Sequence, residues 1–129
     1  MNSGRGRGSS PWRTFPSIAR WLSPALSTPR AARWRAGLSV ADINLFEVNE
    51  SFAALMPHYQ RELDVPPDRL KVNGGAIALG HAIGSTGSAL LGTVLDELDL
   101  RGARHAVVAL CGAADLVTAL VIESATDIA

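Results

Sequence analysis

The stretch Val72-Asn73-Gly74-Gly75-Ala76-Ile77-Ala78-Leu79-Gly80-His81-Ala82-Ile83-Gly84-Ser85-Thr86-Gly87 sets one histidine in a glycine-rich turn just ahead of a helical pattern. Gly74, Gly75, Gly80, Gly84 and Gly87 carry no side chain, so the backbone there can approach a ligand closely or adopt φ > 0. A helix opening after Gly84 would turn backbone N–H groups and the positive end of its dipole toward whatever sits near His81. Such an arrangement suits a carbonyl oxygen that becomes an oxyanion. Taken alone, the segment fits a phosphate cradle or a plain packing turn as well. It is not a P-loop, because no Lys-Ser or Lys-Thr follows the glycines. The glycine spacing also differs from that of a dinucleotide-binding fingerprint.

Working outward, the flanking pattern alternates between helix and strand. Ala31 to Ala36 reads as a short helix ended by Gly37, and Ile43 to Val48 reads as a strand. Phe52 to Leu63 is helical, with Pro57 expected to kink it or end its first part. Val65-Pro66-Pro67-Asp68 is a loop. Ser85 to Leu98 carries an apolar stripe of Ala89, Leu90, Val94, Leu95 and Leu98 at helical spacing. Ala103 to Leu110 and Leu116 to Ile122 read as strands, the second rich in β-branched residues, and Cys111-Gly112-Ala113-Ala114 follows the first.

A chain of 129 residues suits one domain with a workable core. Its formal net charge of zero hides a polarity. Residues 1–41 hold seven arginines, all three tryptophans and no acid, whereas residues 42–129 hold five basic and twelve acidic residues. A single cysteine excludes an internal disulfide and fits a reducing compartment. No apolar run approaches the roughly eighteen residues of a membrane span.

Three ordered elements then carry a resemblance. Asn49-Glu50-Ser51-Phe52-Ala53, Gly74-Gly75-Ala76-Ile77-Ala78-Leu79-Gly80-His81 and the strand-end Cys111 resemble the C-terminal half of thiolases. These are acyl-CoA acyltransferases that cleave 3-ketoacyl-CoA or condense two acyl-CoAs. The likeness runs from about Pro29 to about Glu123. It implies an α/β fold, a thiolase-like layered mixed sheet with packed helices, present as an incomplete single C-terminal half over residues 29–129.

The resemblance also implies roles. His81 corresponds to the histidine that activates the nucleophilic cysteine and helps bind the thioester oxygen. Asn49 corresponds to the asparagine that holds a water beside that oxygen. Cys111 corresponds to the cysteine that moves a proton to or from the α-carbon of the second acyl group, and the Ala113 amide falls at an oxyanion-donor position. Gly80 is a further backbone candidate beside His81. The residue types suit the chemistry: a thiol tuned by an imidazole can serve as base and then acid near neutral pH. An imidazole donates to an oxyanion, and an amide orients a water without carrying charge. Each also has a plainer reading. Cys111 fits an inert buried thiol, His81 a surface residue, and Asn49 a helix N-cap. His58, Glu47 and Glu50 read as structural or surface groups.

Two departures stand out. Ala82 occupies the position where the family usually has proline, which should loosen the turn slightly. After Cys111 the family usually has several glycines, whereas this chain has Gly112-Ala113-Ala114-Asp115. Alanine at a position needing φ > 0 costs roughly 1–2 kcal/mol, and Asp115 adds a carboxylate near the site of an enolate. Cys111 is also the only cysteine, so the nucleophilic cysteine of the family's N-terminal half has no counterpart here.

The expected function is therefore a thiolase-type C-terminal catalytic segment that needs a missing N-terminal half. Alternatives are a non-catalytic CoA-binding or subunit-interaction module and an inactive gene remnant. Acyl-CoA and coenzyme A are the implied substrates, with no tightly bound cofactor and no metal. An N-terminal thiolase half or a full thiolase subunit is the implied partner, in a homo-oligomeric complete enzyme; nucleic acid is not the expected partner. Residues 1–28 are expected to be a basic segment, disordered or non-native. They resemble a transit peptide, a nucleic-acid or anionic-membrane binder, or, the favoured reading, GC-rich DNA translated out of frame. The expected compartment is cytoplasmic, or mitochondrial if residues 1–27 are a transit peptide. A missing opening strand would leave an open sheet edge, and so a marginally stable or oligomeric chain.

Overall fold

Period-two alternation places residues 45, 47 and 49 on one face of a strand and 46 and 48 on the other, and this division organises the molecule. The computed structural model describes residues 12–16, 37–111 and 117–125. Among these, β1 (Trp12–Pro16), β2 (Leu45–Val48), β3 (His105–Cys111) and β4 (Val117–Ser124) form one sheet in the order β1-β4-β3-β2. β2 is parallel to β3, from Leu45 opposite Ala106 to Val48 opposite Ala109, and β4 is antiparallel to both β3 and β1. Parallel neighbours need a crossover. Here it holds α1 (Leu55–Leu63), α2 (Ala76–Leu79) and α3 (Thr86–Arg101).

The sheet is covered on both faces. On one, Leu45, Ala106, Val108 and Ile122 pack with Leu90, Val94 and Leu98 of α3, which recur every four residues and so share one helix face. On the other, Phe46, Val48, Val107, Ala109 and Val121 pack with Tyr59 of α1 and with Ile43, Val65 and Leu70. Val94, Leu98, Val108 and Val121 are at most 1% exposed. Burying each such side chain contributes about 1.5–3 kcal/mol.

Two expectations change. An open edge was expected for want of an opening strand, but β1, inside the segment 1–28 expected to be disordered or non-native, pairs β4 from Trp12 opposite Ser124 to Pro16 opposite Leu120. Trp12, Thr14 and Phe15 are strand-forming types, but the surrounding arginines, serines and glycines obscure them. Helix α1 starts at Leu55 rather than Phe52, so Pro57 lies in the first turn and neither kinks nor ends the helix. Its missing N–H has no intrahelical acceptor there and costs nothing. The short helix expected over 31–36 lies outside the described residues.

The glycine-rich segment is moored to this frame by polar contacts. The Lys71 N–H donates to the Phe46 carbonyl at 3.0 Å, and Leu70 forms a lone parallel bridge with Phe46. Lys71 has φ 51°, a left-handed conformation that costs about 1–2 kcal/mol for a non-glycine residue. That turn carries its ammonium to the Glu47 carboxylate, and both side chains are almost fully buried. Burial pushes the Glu47 carboxyl above its usual range, opposed by the hydrogen bond and charge of Lys71 and assisted by the charge of Glu50. At the far end, Asn73 Nδ2 donates to Glu97 Oε1 of α3 at 2.9 Å. That bond, with the hydrogen bond and charge of Arg101, holds the Glu97 carboxyl below its usual range.

Lys71→Met should therefore strand a buried carboxylate and cost about 3–5 kcal/mol at neutral pH. Without the ammonium, the folded-state Glu47 pKa rises further above its unfolded value. The folded chain then binds the proton more tightly, so the deficit shrinks as pH falls through that raised pKa. Denaturant titrations of both chains across acid to neutral pH check this; a pH-independent deficit would contradict it.

Candidate active site

At the carboxyl end of β2, the face covered by α3 stops being apolar. Leu45 meets α3, but the next residues of that face are Glu47 and Asn49, and both line a cavity of about 520 Å³. The cavity lies between the end of β2, the glycine-rich segment and the first turns of α3, with Thr86, Ala89, Leu90 and Thr93 on its helical side. Ligands of parallel α/β sheets collect outside the carboxyl ends of the strands.

Asn49 continues the ladder beyond β2, donating its N–H to the Ala109 carbonyl at 2.8 Å. Its side chain is fully buried. Nδ2 donates to Ser51 Oγ at 3.2 Å, while Oδ1 has no hydrogen-bond partner among the described residues. An unmatched buried amide oxygen costs about 1–3 kcal/mol, so Oδ1 is a buried acceptor for which the described residues supply no donor. The N-cap reading of Asn49 does not hold: α1 begins six residues later, and its N-cap position is Ala54.

His81 lines the same cavity and is exposed. Its Nδ1 lies 2.8 Å from Thr86 Oγ1. The turn carrying it closes on one carbonyl, that of Ala82, which accepts from Ser85 N–H, Thr86 N–H and Thr86 Oγ1–H, each at 2.9 Å. The turn is closed in this way with Ala82 at the position where the family resemblance implied a proline. It also occupies the N–H groups of Ser85 and Thr86, so those two donors, expected to face a ligand, are already engaged.

The glycines divide by role. Gly80 has φ 87°, which reverses the chain between α2 and His81, and Gly74 has φ 72°. Gly75 instead sits close beneath two side-chain ends, which would have to shift to admit a side chain there. A Cβ there would stand 2.6 Å from Lys71 Nζ and 2.8 Å from Glu50 Oε2. Gly84 meets neither requirement, and a Cβ on Gly87 would make only an ordinary 3.6 Å contact with Leu110. Glu50, read from sequence as a structural or surface group, accepts from the Ile77 N–H at 3.1 Å and so anchors the start of α2.

Cys111 closes β3, and strand register brings its backbone to the same sheet end as Asn49. Its side chain, together with Ala113 and Asp115, lies outside the described residues. Glu47, Lys71 and Thr86 are cavity residues that sequence reasoning missed. For Glu47 the signal was available, since it shares the strand face of Asn49. Among the described residues there is no cluster of His, Cys, Asp and Glu suited to a metal, and no helix is long and apolar enough to cross a membrane.

Comparison with known proteins gives this cavity a lineage. The family described as thiolase, C-terminal domain, matches residues 15–124, beginning inside β1. Peroxisomal 3-ketoacyl-CoA thiolase 1 of Petunia hybrida is 39% identical over 104 residues, covering 79% of this chain and 22% of that protein. The human peroxisomal 3-ketoacyl-CoA thiolase is 40% identical over 103 residues, covering 79% and 24%. The crystal structure of human mitochondrial 3-ketoacyl-CoA thiolase in complex with CoA superposes with a TM-score of 0.69 at 34% identity, covering 88% of this chain and 29% of that one. The chain thus spans about a quarter of the length of the curated relatives it matches. Both the sequence match and the shared fold place this chain in the thiolase family, as its C-terminal domain.

Proposed function

We propose that this chain is the C-terminal catalytic segment of a thiolase-type acyltransferase, working on acyl-CoA in thiolysis or Claisen condensation. The observation that carries the reading is the Oδ1 of the fully buried Asn49, which has no hydrogen-bond partner among the described residues and lies in the same cavity as His81. An amide oxygen only accepts, so it cannot itself stabilise an oxyanion. It can hold a water, whose second O–H then donates to the thioester oxygen. His81 supplies the other donor once its imidazole is protonated. Two donors directed at one oxygen stabilise the negative charge that develops when the α-proton leaves. Cys111, at the same sheet end, is the proposed proton carrier, with the Ala113 amide as a further oxyanion donor.

Acylation needs a nucleophilic cysteine that this chain does not itself provide, since Cys111 is its single cysteine and serves the proton transfer. We therefore propose an N-terminal thiolase half, or a full subunit, as partner. The surface beside the cavity supports this. Phe52, Ile77, Leu79 and Ile83 are 60–88% exposed, an apolar concentration of the kind that marks an interaction surface. Coenzyme A as substrate is supported by the CoA complex of the human mitochondrial relative. The relatives named above are peroxisomal or mitochondrial, which favours an organellar compartment over the cytoplasm.

Mixing the chain with an N-terminal thiolase segment that carries the nucleophilic cysteine should restore thiolysis of a short 3-ketoacyl-CoA. In that assembly His81→Ala should lower kcat by about 10²–10⁴-fold, and Asn49→Ala by about 10²–10³-fold. His58→Ala, on α1 and away from the cavity lining, should leave the rate unchanged. Equal losses for His58→Ala and His81→Ala would overturn the reading. The pair Phe52→Ser and Ile83→Ser should weaken assembly about tenfold, read by sedimentation, while the chain's own unfolding midpoint stays put.

A further inference from the structure

Thr86 is the first residue of α3 and only 7% exposed. Its hydroxyl has two neighbours, the Ala82 carbonyl oxygen at 2.9 Å and His81 Nδ1 at 2.8 Å. A hydroxyl has one proton to donate and lone pairs to accept with, whereas a carbonyl oxygen can only accept. If the Thr86 proton goes to Ala82, Oγ1 is left as an acceptor, and Nδ1 must carry a hydrogen to bond it. Both contacts are then made. If Nδ1 were bare, the single hydroxyl proton could serve only one of them.

From this geometry we infer that Thr86 is a positioning residue. It holds neutral His81 in the Nδ1–H tautomer and leaves the Nε2 lone pair free. One additional hydrogen bond favours this tautomer by about fivefold. The arrangement persists through protonation. The Nδ1–H bond to Thr86 is the same in neutral imidazole and in imidazolium, so a proton can arrive at Nε2 and leave again with no rotation of the ring. The Ala82 carbonyl also accepts the Thr86 N–H, so the relay is anchored to the turn that starts α3. The catalytic meaning of a free Nε2 rests on the function proposed for His81; the tautomer itself does not.

The test reads the imidazole directly, by long-range ¹H–¹⁵N correlation spectra of the full chain labelled with ¹⁵N-histidine. Spectra are recorded at a pH where neutral imidazole predominates, and the His81 signals are assigned by their loss in His81→Gln. Nδ1 should resonate as the protonated nitrogen and Nε2 as the bare one. Thr86→Ser, which keeps the hydroxyl, should preserve that pattern. Thr86→Val, of similar shape, should move His81 toward the Nε2–H form while His58 and His105 stay unchanged. A wild-type His81 with Nε2 protonated would overturn the inference, even if neither variant folds. Unchanged His81 shifts in a folded Thr86→Val chain would overturn it too. A wild-type Nδ1–H pattern, together with a reconstituted enzyme indifferent to His81→Ala, would leave the positioning role standing and remove the catalytic one.

Discussion

One face of one short strand sets most of what this domain does. Residues 45, 47 and 49 must share a face because strand side chains alternate, and α3 covers only the first of them. Leu45 is sealed by Leu90, Val94 and Leu98, but Glu47 and Asn49 run on past that apolar contact and are still buried. A buried carboxylate and a buried amide each require partners. Glu47 obtains one from the fold itself, the ammonium of Lys71. Asn49 obtains half, with Nδ2 on Ser51 and Oδ1 unmatched among the described residues. Both residues line the cavity.

The Glu47–Lys71 pair explains why the glycine-rich segment lies where it does. Lys71 pairs with Glu47 from a left-handed backbone conformation, and the segment that follows lies across the end of β2. Gly75 passes so close to the Lys71 and Glu50 side chains that a methyl group there would require their ends to shift. Glu50 in turn anchors the start of α2 through the Ile77 N–H. The buried ion pair, a weak source of stability in general, here fixes the register between a strand and a loop. His81 inherits its position from that register and from the turn closed on the Ala82 carbonyl.

Much of this was legible from periodicity and motif. The strand ending at Val48, the α3 stripe and the two later strands follow from alternation and from four-residue spacing. The ordered motifs around Asn49, His81 and Cys111 pointed to one family, and the structure brings Asn49 and His81 into one cavity. What escaped has physical causes. β1 was hidden because the arginines, serines and glycines around Trp12–Pro16 outweigh a five-residue strand signal. The start of α1 was placed too early because Pro57 is compatible with a first turn as well as with a kink. Lys71 as the partner of Glu47 could not be read from the sequence, since it depends on a left-handed residue and a separation of twenty-four positions. The relay through Thr86 depends on which neighbour takes a single hydroxyl proton, and spacing alone does not say.

The central claim is that Asn49 Oδ1 is reserved for a water that serves the reacting oxygen. A high-resolution crystal structure of the chain tests it most directly. The account predicts an ordered water about 2.7–3.2 Å from Asn49 Oδ1, inside the cavity and on the side that His81 faces. An Oδ1 that instead accepts a hydrogen bond from a protein donor, or an Asn49 side chain turned out of the cavity, would contradict it.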